Sequence, residues 1–215
     1  MSENARIKLL VVDNHPVVRA GIEFFIRDTS EIAIVGEAAN GQDALKMMRQ
    51  IDVTMILIEI ALNDRNGIDI LKQIKREFPA INIIVFSSHR EDQYAIRALK
   101  AGASGFLSKH ARGHELLSAI KQVASGLKFI SPELAQEMAN NLNNEHPNEP
   151  HKILSDREYQ TMIMIASGKS VSDIAKELSL SVKTISEYRS RILLKMKLRH
   201  NAELTHYAIK NELVE

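Results

Sequence analysis

Five short apolar runs recur at nearly regular intervals in the first half of the chain, at residues 8–12, 32–38, 53–60, 81–86 and 105–107. The segments between them carry apolar residues three or four positions apart, as in Ile68, Leu71 and Ile74, which is the spacing of an amphipathic helix. A further helix is predicted over residues 111–125, where Gly126 provides a stop signal. Alternating strands and helices favour parallel pairing with right-handed crossovers. The pattern therefore predicts a doubly wound, five-stranded parallel α/β domain.

The pattern changes after residue 126. Ser131 and Pro132 provide a cap and a first-turn proline for a short helix. The tract at residues 140–150 then has one apolar residue in eleven and two prolines, which is typical of a linker. We therefore predict an α/β domain at residues 1–126, a linker with a short helix at 127–152, and a second domain at 153–215.

The second domain shows four helical patterns and no strand signal. Ser155 is expected to cap the first helix, Ser170 or Ser172 the second, and Asn201 the fourth. The third helix is preceded by a tight turn and is predicted from Val182 to about Lys197. A short helix, a tight turn and a longer basic helix form a helix-turn-helix, so a small all-α, DNA-binding domain is predicted.

The third helix has two chemically different faces. Its predicted core face contains Val182, Ile185, Ile192 and Met196, with Tyr188 near the edge. The opposite face is polar and provides the candidate DNA-binding residues Lys183, Thr184, Ser186, Glu187, Ser190 and Arg191. Lys183 or Arg191 could contact guanine or phosphate, and Glu187 could accept from cytosine N4. A solvated side chain explains Glu187 equally well.

Composition narrows the class of protein. The chain has 45% apolar residues, a net charge of +1 and no cysteine, which fits a reducing compartment. No stretch approaches 18 apolar residues, so we expect a cytoplasmic protein with no membrane span. Residues 152–215 carry 11 Lys and Arg against 8 Asp and Glu, and five of these cations fall within residues 189–199. This cluster favours a nucleic-acid partner, although a solvated helix face would explain the charge equally well.

Polar side chains stand where the predicted strands of the first domain end. They are Asp13 and Asn14 after the first strand, Glu59 after the third, Ser87 after the fourth and Lys109 after the fifth. The carboxyl ends of parallel strands meet at one edge of the sheet, where such folds bind ligands. Carboxylates, a hydroxyl and an ammonium group suit a divalent cation with a phosphoryl group. Each residue alone would be explained as a solvated polar group; their joint spacing predicts a site.

These residues resemble a response-regulator receiver domain over residues 6–125. The matching segments are residues 11–16, Glu59 with Leu62 and Gly67, Ser87, and residues 102–109. The resemblance implies a phosphoacceptor at position 59, an acidic pocket for Mg²⁺ at positions 13 and 14, and a sensor histidine kinase as phosphodonor. It also implies that Ser87 and Lys109 sense the phosphoryl group and that Phe106 is the switch residue.

Two residues depart from the receiver pattern. Asn14 replaces an acidic residue, so Asp13 would be left as part of a weak Mg²⁺ site, and no other cofactor is expected. Glu59 replaces an aspartate and moves the carboxylate by roughly 1.5 Å, which is costly for in-line phosphoryl transfer. We therefore hypothesise a degenerate receiver controlled independently of phosphorylation, with a Glu59–Lys109 pair. The alternative is a conventional phosphorylation-gated regulator in which Glu59 is a phosphomimetic substitution.

The second domain resembles the LuxR-type helix-turn-helix over residues 153–213. The resemblance rests on residues 154–158, Ile174 with Ala175 and Leu178, residues 181–185, and Lys195 with Met196. The domain order is that of the NarL/FixJ class of response regulators, and residues 188–191 and 202–209 look most like its GacA/UvrY branch. The resemblance implies a transcription regulator that binds double-stranded DNA as a homodimer and works with RNA polymerase. Two rival classes are a hydrolase that uses Asp13 or Glu59, and an interaction module that binds another protein.

Overall fold

The computed structural model describes residues 6–62, 65–89, 91–142 and 150–214, apart from the side chains of residues 92, 137 and 140–142. The chain forms two compact units, Met1–Asn140 and Asn141–Glu215. The predicted linker tract lies partly outside the described residues, at 143–149.

The first unit is built on a five-stranded parallel sheet. Its strands are β1 (Ile7–Val12), β2 (Ile32–Ala38), β3 (Met55–Ile58), β4 (Asn82–Ser87) and β5 (Gly105–Ser108). The strand order is β2-β1-β3-β4-β5, so the chain moves outward from β1 in both directions, as the doubly wound pattern predicts. The third strand is shorter than the predicted run at residues 53–60, because its ladder with β1 and β4 begins at Met55 and ends at Ile58.

Six helices accompany this sheet among the residues that the structure describes. They are α1 (Pro16–Ile26), α2 (Gly41–Met48), α3 (Gly67–Glu77), α4 (Glu91–Lys100), α5 (Gly113–Ala124) and α6 (Pro132–Leu142). One apolar core lies between the sheet and α1 with α5, where Ile22 and Ile120 are buried against strand residues such as Leu57. The fifth helix begins two residues later than predicted, because Arg112 is its N-cap and Glu115 closes the turn by accepting from the Arg112 N–H.

The short helix after α5 begins where the sequence predicts. Ser131 Oγ accepts a hydrogen bond from the N–H of Leu134 at 3.0 Å, and Pro132 opens the helix. The helix extends to Leu142, however, and so includes the first residues of the tract predicted as a linker.

The second unit contains one 3₁₀ turn and four α-helices within its described residues. They are the turn at Pro150–Ile153 and the helices α7 (Asp156–Ala166), α8 (Val171–Glu177), α9 (Val182–Met196) and α10 (Asn201–Lys210). Ser155, Ser170 and Ser181 cap α7, α8 and α9 through their side-chain oxygens. The predicted cap at Asn201 is wrong by one residue, because the imidazole of His200 accepts from the Glu203 N–H and starts α10 earlier.

Candidate phosphoryl-type site and DNA-binding helix

The polar residues predicted at the strand ends converge on the carboxyl edge of the sheet. Asp13 follows β1, Glu59 follows β3, Ser87 ends β4 and Lys109 follows β5, because every strand of the sheet runs in the same direction. Asp13, Glu59 and Ser87 are 2%, 3% and 0% exposed, so these three polar groups lie in the interior. Burial without partners would be costly, and each of the three has a partner.

Both oxygens of the Glu59 carboxylate are bound. Its Oε1 accepts from Ser87 Oγ at 2.5 Å and from the Ile60 N–H at 2.5 Å, while its Oε2 lies 2.6 Å from Lys109 Nζ. Burial alone would raise the pKa of Glu59, but the hydrogen bonds from Lys109 and Ser87 and the charge of Lys109 leave that pKa below its ordinary value. Glu59 is therefore held as a carboxylate at neutral pH.

Lys109 joins the two carboxylates of the site. Its Nζ lies 2.5 Å from Asp13 Oδ2 as well as 2.6 Å from Glu59 Oε2, and its side chain is 10% exposed. The backbone N–H of Lys109 donates to the Ser87 carbonyl at 2.8 Å, which fixes the start of the lysine side chain beside β4. The ammonium group thus pairs with both buried carboxylates and lies where a metal ion between them would have to bind.

The other oxygen of Asp13 is also engaged. Asp13 Oδ1 accepts from the His15 N–H at 2.8 Å and lies 3.2 Å from His15 Nδ1. An ammonium group stands between the two carboxylates, and position 14 offers an amide in place of an acid. This donor set fits Mg²⁺ poorly, because a hard cation binds through carboxylate charge and here one acid is replaced and both carboxylates pair with Lys109. Among the described residues, no group of three or more His, Asp or Glu side chains is arranged to hold a metal ion.

The loop after β3 is held close to Glu59 by a glycine. Gly67 N donates to the Ile60 carbonyl at 2.7 Å. A Cβ at position 67 would lie 2.0 Å from the Glu59 carbonyl oxygen, so a larger residue cannot occupy this position without moving the loop. From the sequence, Gly67 was recognised only as part of the receiver-like loop.

His89 is a neighbour of the site that the sequence did not indicate. Its Nδ1 lies 3.1 Å from Ser87 Oγ and 4.0 Å from Glu59 Oε1, and its ring packs edge-to-face on Tyr94. Burial lowers the pKa of His89, although the charge of Glu59 opposes that shift. The one available signal was its position two residues after Ser87, where its N–H can return to the serine hydroxyl at 3.2 Å.

Phe106, predicted as the switch residue, is the second residue of β5, and it is 1% exposed. It stands opposite Val85 in the ladder between β4 and β5. Its role in switching stays a prediction.

The two faces of α9 largely follow the sequence pattern. Ile185, Ile192 and Met196 are buried, whereas Val182 is 50% exposed, so the predicted core face begins one turn later than expected. The candidate DNA-binding residues other than Thr184 are exposed, and Thr184 is half-buried beside the capping Ser181. Glu187 lies 3.8 Å from Arg191, one turn away on the same face.

The cluster of five cations at residues 189–199 does not form a single exposed set. Lys195 Nζ donates to Glu158 Oε2 at 2.6 Å, and that carboxylate is 4% exposed on α7. Arg189 Nε donates to Asn201 Oδ1 at 2.6 Å, at the start of α10. Lys195 and Arg189 therefore bind neighbouring helices of their own domain, which a charge count along the sequence could not reveal.

Comparison with known families identifies the class of protein. The model described as the response regulator receiver domain matches residues 9–121, and the model for bacterial regulatory proteins of the luxR family matches residues 152–208. The chain belongs to the DNA-binding two-component response regulators of the LuxR family. This family comprises transcription regulators, so the prediction of a regulator is confirmed over the rival prediction of a hydrolase.

Individual relatives agree with this assignment. The chain is 38% identical over 208 residues to response regulator UvrY of Escherichia coli strain K12, covering 96% of this chain and 95% of UvrY. It is 34% identical over 210 residues to response regulator GacA of Pseudomonas aeruginosa, covering 97% and 98%. Both confirm the resemblance to the GacA/UvrY branch. RcsB from Salmonella enterica serovar Typhimurium, bound to promoter rprA in the presence of phosphomimetic BeF₃⁻, shares the fold with a TM-score of 0.66 at 22% identity, covering 94% and 98%.

In the part of the chain that the structure describes, no helix is both long and apolar enough to cross a membrane.

Proposed function

We propose that this protein is a transcription regulator whose receiver is held in its signalling state by Glu59 rather than by phosphorylation. The regulator acts in the cytoplasm as a homodimer on double-stranded DNA and works with RNA polymerase. A sensor histidine kinase, if one binds the receiver, acts through contact and not through phosphoryl transfer to Glu59.

The observation that carries this proposal is the double contact of the Glu59 carboxylate. One oxygen is bound by Ser87 and the other by Lys109. These two positions match the residues that sense the phosphoryl group in the family. A carboxylate that already satisfies both groups supplies the negative charge that a phosphoryl group would supply, and it does so permanently.

Magnesium plays at most a weak part in this proposal. Lys109 already pairs with Asp13 and Glu59 and offsets part of their charge, and Asn14 lacks the charge that a hard cation needs. Phosphoryl transfer also depends on how the accepting carboxylate is positioned. The carboxylate of Glu59 is already bound to Ser87 and Lys109.

The DNA-binding role is assigned to the exposed face of α9. Lys183, Ser186, Glu187, Ser190 and Arg191 point away from the domain core, since the buried residues of the helix lie on the opposite side. Residues in the first half of such a helix read base edges, while basic and hydroxyl groups bind phosphates. Dimerisation is assigned to α10, where Ile209 is 53% exposed.

The second candidate is a conventional phosphorylation-gated regulator in which Glu59 is a single phosphomimetic substitution. The same contacts with Ser87 and Lys109 favour it. The two candidates differ in whether a receiver with Asn14 can still be phosphorylated. A single Glu59→Asp change should restore rapid phosphorylation in a conventional receiver, whereas the degenerate receiver should also require Asn14→Asp.

The test compares the native chain with Glu59→Asp, Glu59→Gln and Asn14→Asp/Glu59→Asp, each with and without a small phosphodonor and Mg²⁺. The probe is a duplex selected from a random library by the native chain. We expect the native chain to bind it equally well with and without donor. Glu59→Asp and Glu59→Gln without donor should bind about tenfold more weakly, because the active state falls to a minor population.

Intact-mass analysis of the same samples measures how much phosphoryl adduct each variant forms. Only the double Asp variant should form an acid-labile phosphoryl adduct rapidly. An adduct on native Glu59, or undiminished DNA binding by Glu59→Gln, would refute the proposal.

A further inference from the structure

The segment that follows α5 runs along the free edge of β5. The N–H of Phe129 donates to the Ser104 carbonyl at 3.0 Å, and the N–H of Phe106 donates to the Phe129 carbonyl at 3.1 Å. These bonds make a parallel bridge between Gly105 and Phe129, so the segment adds one position to the sheet beyond its fifth strand. We call residues 128–134 the strap.

Side chains fasten the strap at both of its ends. Gln122 Nε2 donates to the Lys128 carbonyl at 2.6 Å, and Lys128 Nζ donates to the Ala103 carbonyl at 2.6 Å. At the other end, the N–H of Ser131 donates to Glu91 Oε1 at 3.3 Å, and Leu134 is 2% exposed. The strap is thus bound to α4 and to the backbone at the start of β5, and α6 begins within the strap at Pro132.

A glycine makes the contact with β5 possible. A Cβ on Gly105 would lie 2.7 Å from the Phe129 carbonyl oxygen and 3.0 Å from Phe129 Cβ. Backbone cannot move away from such a contact without breaking the bridge. Gly105 is needed for close approach of the strap, and its φ is not in the left-handed region.

The strap touches the strand that leads into Lys109, one of the two side chains that bind Glu59. Lys109 follows β5 directly, whereas Ser87 ends β4, the neighbouring strand. Phe106 is bonded to the strap through its N–H and stands opposite Val85 of β4. A displacement of Lys109 therefore acts on β5, the strand that the strap holds.

We propose that Gly105 and Phe129 are positioning residues for the Glu59 site. The docked strap holds β5 so that Lys109 reaches both Glu59 and Asp13. In return, the pairing of Glu59 with Lys109 keeps the strap docked, and the strap carries the state of the site to α6. The second half of this statement rests on the proposed function, since it requires Glu59 to be the signal.

The test uses the full chain and two strap variants of different severity. Gly105→Ala introduces the clash with Phe129, and Lys128→Met removes only the bond to Ala103. Gly21→Ala is the matched control, because a Cβ there meets no atom within 4 Å. Two readouts are needed: hydrogen exchange of the Phe106 and Phe129 amides, and a ¹³C NMR titration of the Glu59 carboxyl group.

We expect both strap variants to exchange the Phe129 amide at least about tenfold faster, as for a segment that opens locally more often. They should also raise the pKa of Glu59 toward its ordinary value, because Lys109 is less well placed. Glu59→Gln should accelerate Phe129 exchange as well, and Gly21→Ala should change neither readout. A purely structural role for the strap would leave the Glu59 titration unchanged.

Two outcomes separate this inference from the proposed function. If Glu59→Gln weakens DNA binding but leaves Phe129 exchange unchanged, the strap does not carry the signal, while the proposed function stands. If Glu59→Gln binds DNA as the native chain does, the proposed function fails, and the positioning role is judged by the Glu59 titration alone. An unchanged Glu59 titration in Lys128→Met and in a folded Gly105→Ala variant overturns the positioning role.

Discussion

One methylene group decides what the carboxylate at position 59 can reach. An aspartate on the same backbone would end roughly 1.5 Å short. The glutamate accepts from Ser87 on one side and binds Lys109 on the other, and it stays ionised although it is buried. Glu59 is therefore fully integrated in the hydrogen bonding of the interior.

The pH dependence of stability should report this integration. The folded-state pKa of Glu59 is lowered, so its contribution is present above about pH 4.3, the ordinary glutamate value, and is lost as the pH falls through the folded-state pKa. Glu59→Gln keeps the size and removes the charge, and we expect it to cost about 1–3 kcal/mol at pH 7. Urea unfolding followed by circular dichroism at pH 7, 5 and 3.5 should show the difference shrinking at the lowest pH.

Glu77→Gln is the control for this measurement. The pKa of Glu77 is also lowered, first by a hydrogen bond from Gln73 and then by one from Arg49, but the group is in contact with solvent. Its removal should change stability far less, because exposed ion pairs are screened. A Glu59→Gln deficit that is equally large at pH 7 and pH 3.5 would contradict the ionised state assigned to Glu59.

Among the helices, α9 carries two sets of cations: one set binds neighbouring helices, and the other lies on the exposed face. Lys195 and Arg189 bind Glu158 of α7 and Asn201 of α10, so they fasten the helix to the rest of its domain. Lys183 and Arg191 lie on the exposed face. The helix is thus fastened through Arg189 and Lys195, while Lys183 is exposed in its first turn, where a recognition helix makes its base contacts, and Arg191 is exposed further along.

This division predicts which cations matter for DNA. Lys183→Ala/Arg191→Ala should weaken binding by about 10²-fold or more, because each lost contact costs about 1–3 kcal/mol. If both side chains bind phosphates, the slope of log K against log salt should become shallower by up to about 1.8. Fluorescence anisotropy on the selected duplex at several salt concentrations measures both quantities.

The matched control changes the same net charge in the other domain. Lys46→Ala/Lys100→Ala removes two exposed cations from α2 and α4. It should leave the affinity and the salt slope close to native. Native-like binding by the α9 double variant would show that this helix does not read DNA.

Considering the complete chain, a receiver domain is joined to a LuxR-type domain, and each has buried apolar residues of its own. Leu57, Ile84 and Ile120 belong to the first core, and Met162, Ile185 and Leu204 are buried in the second unit. Each unit has its own set of caps and ion pairs, so each can be tested by substitutions that leave the other intact. Function requires both, because the proposed signal lies in one and the recognition helix in the other.

A prediction at this scale concerns stoichiometry. We expect two chains on one duplex, with half-sites about one helical turn apart, since the proposed dimer presents two α9 helices to successive major grooves. Sedimentation velocity of the full chain with the selected duplex measures the ratio. Ile209→Lys on α10 should weaken assembly on DNA without unfolding the domain, because Ile209 is 53% exposed. A single chain per duplex would refute the proposed dimer.

The amino-acid sequence was sufficient to predict the order of strands and helices and the family. Strand and helix periodicity, the serine cap at Ser155 and the stop at Gly126 are signals set by neighbouring residues along the chain, so they can be recognised without the fold. The sequence also determined which edge of the sheet carries Asp13, Glu59, Ser87 and Lys109, because parallel strands end together.

The Glu59–Lys109 pair was hypothesised from the sequence, but the other contacts became known from the fold. Lys109 lies between Asp13 and Glu59, Lys195 binds Glu158, and Phe129 pairs with the edge of β5. These partners are far apart in the chain, and their contacts depend on side-chain length, on burial and on a few ångströms of approach. Periodicity places residues on a face or at an edge, but it does not determine the distance between two atoms on different elements.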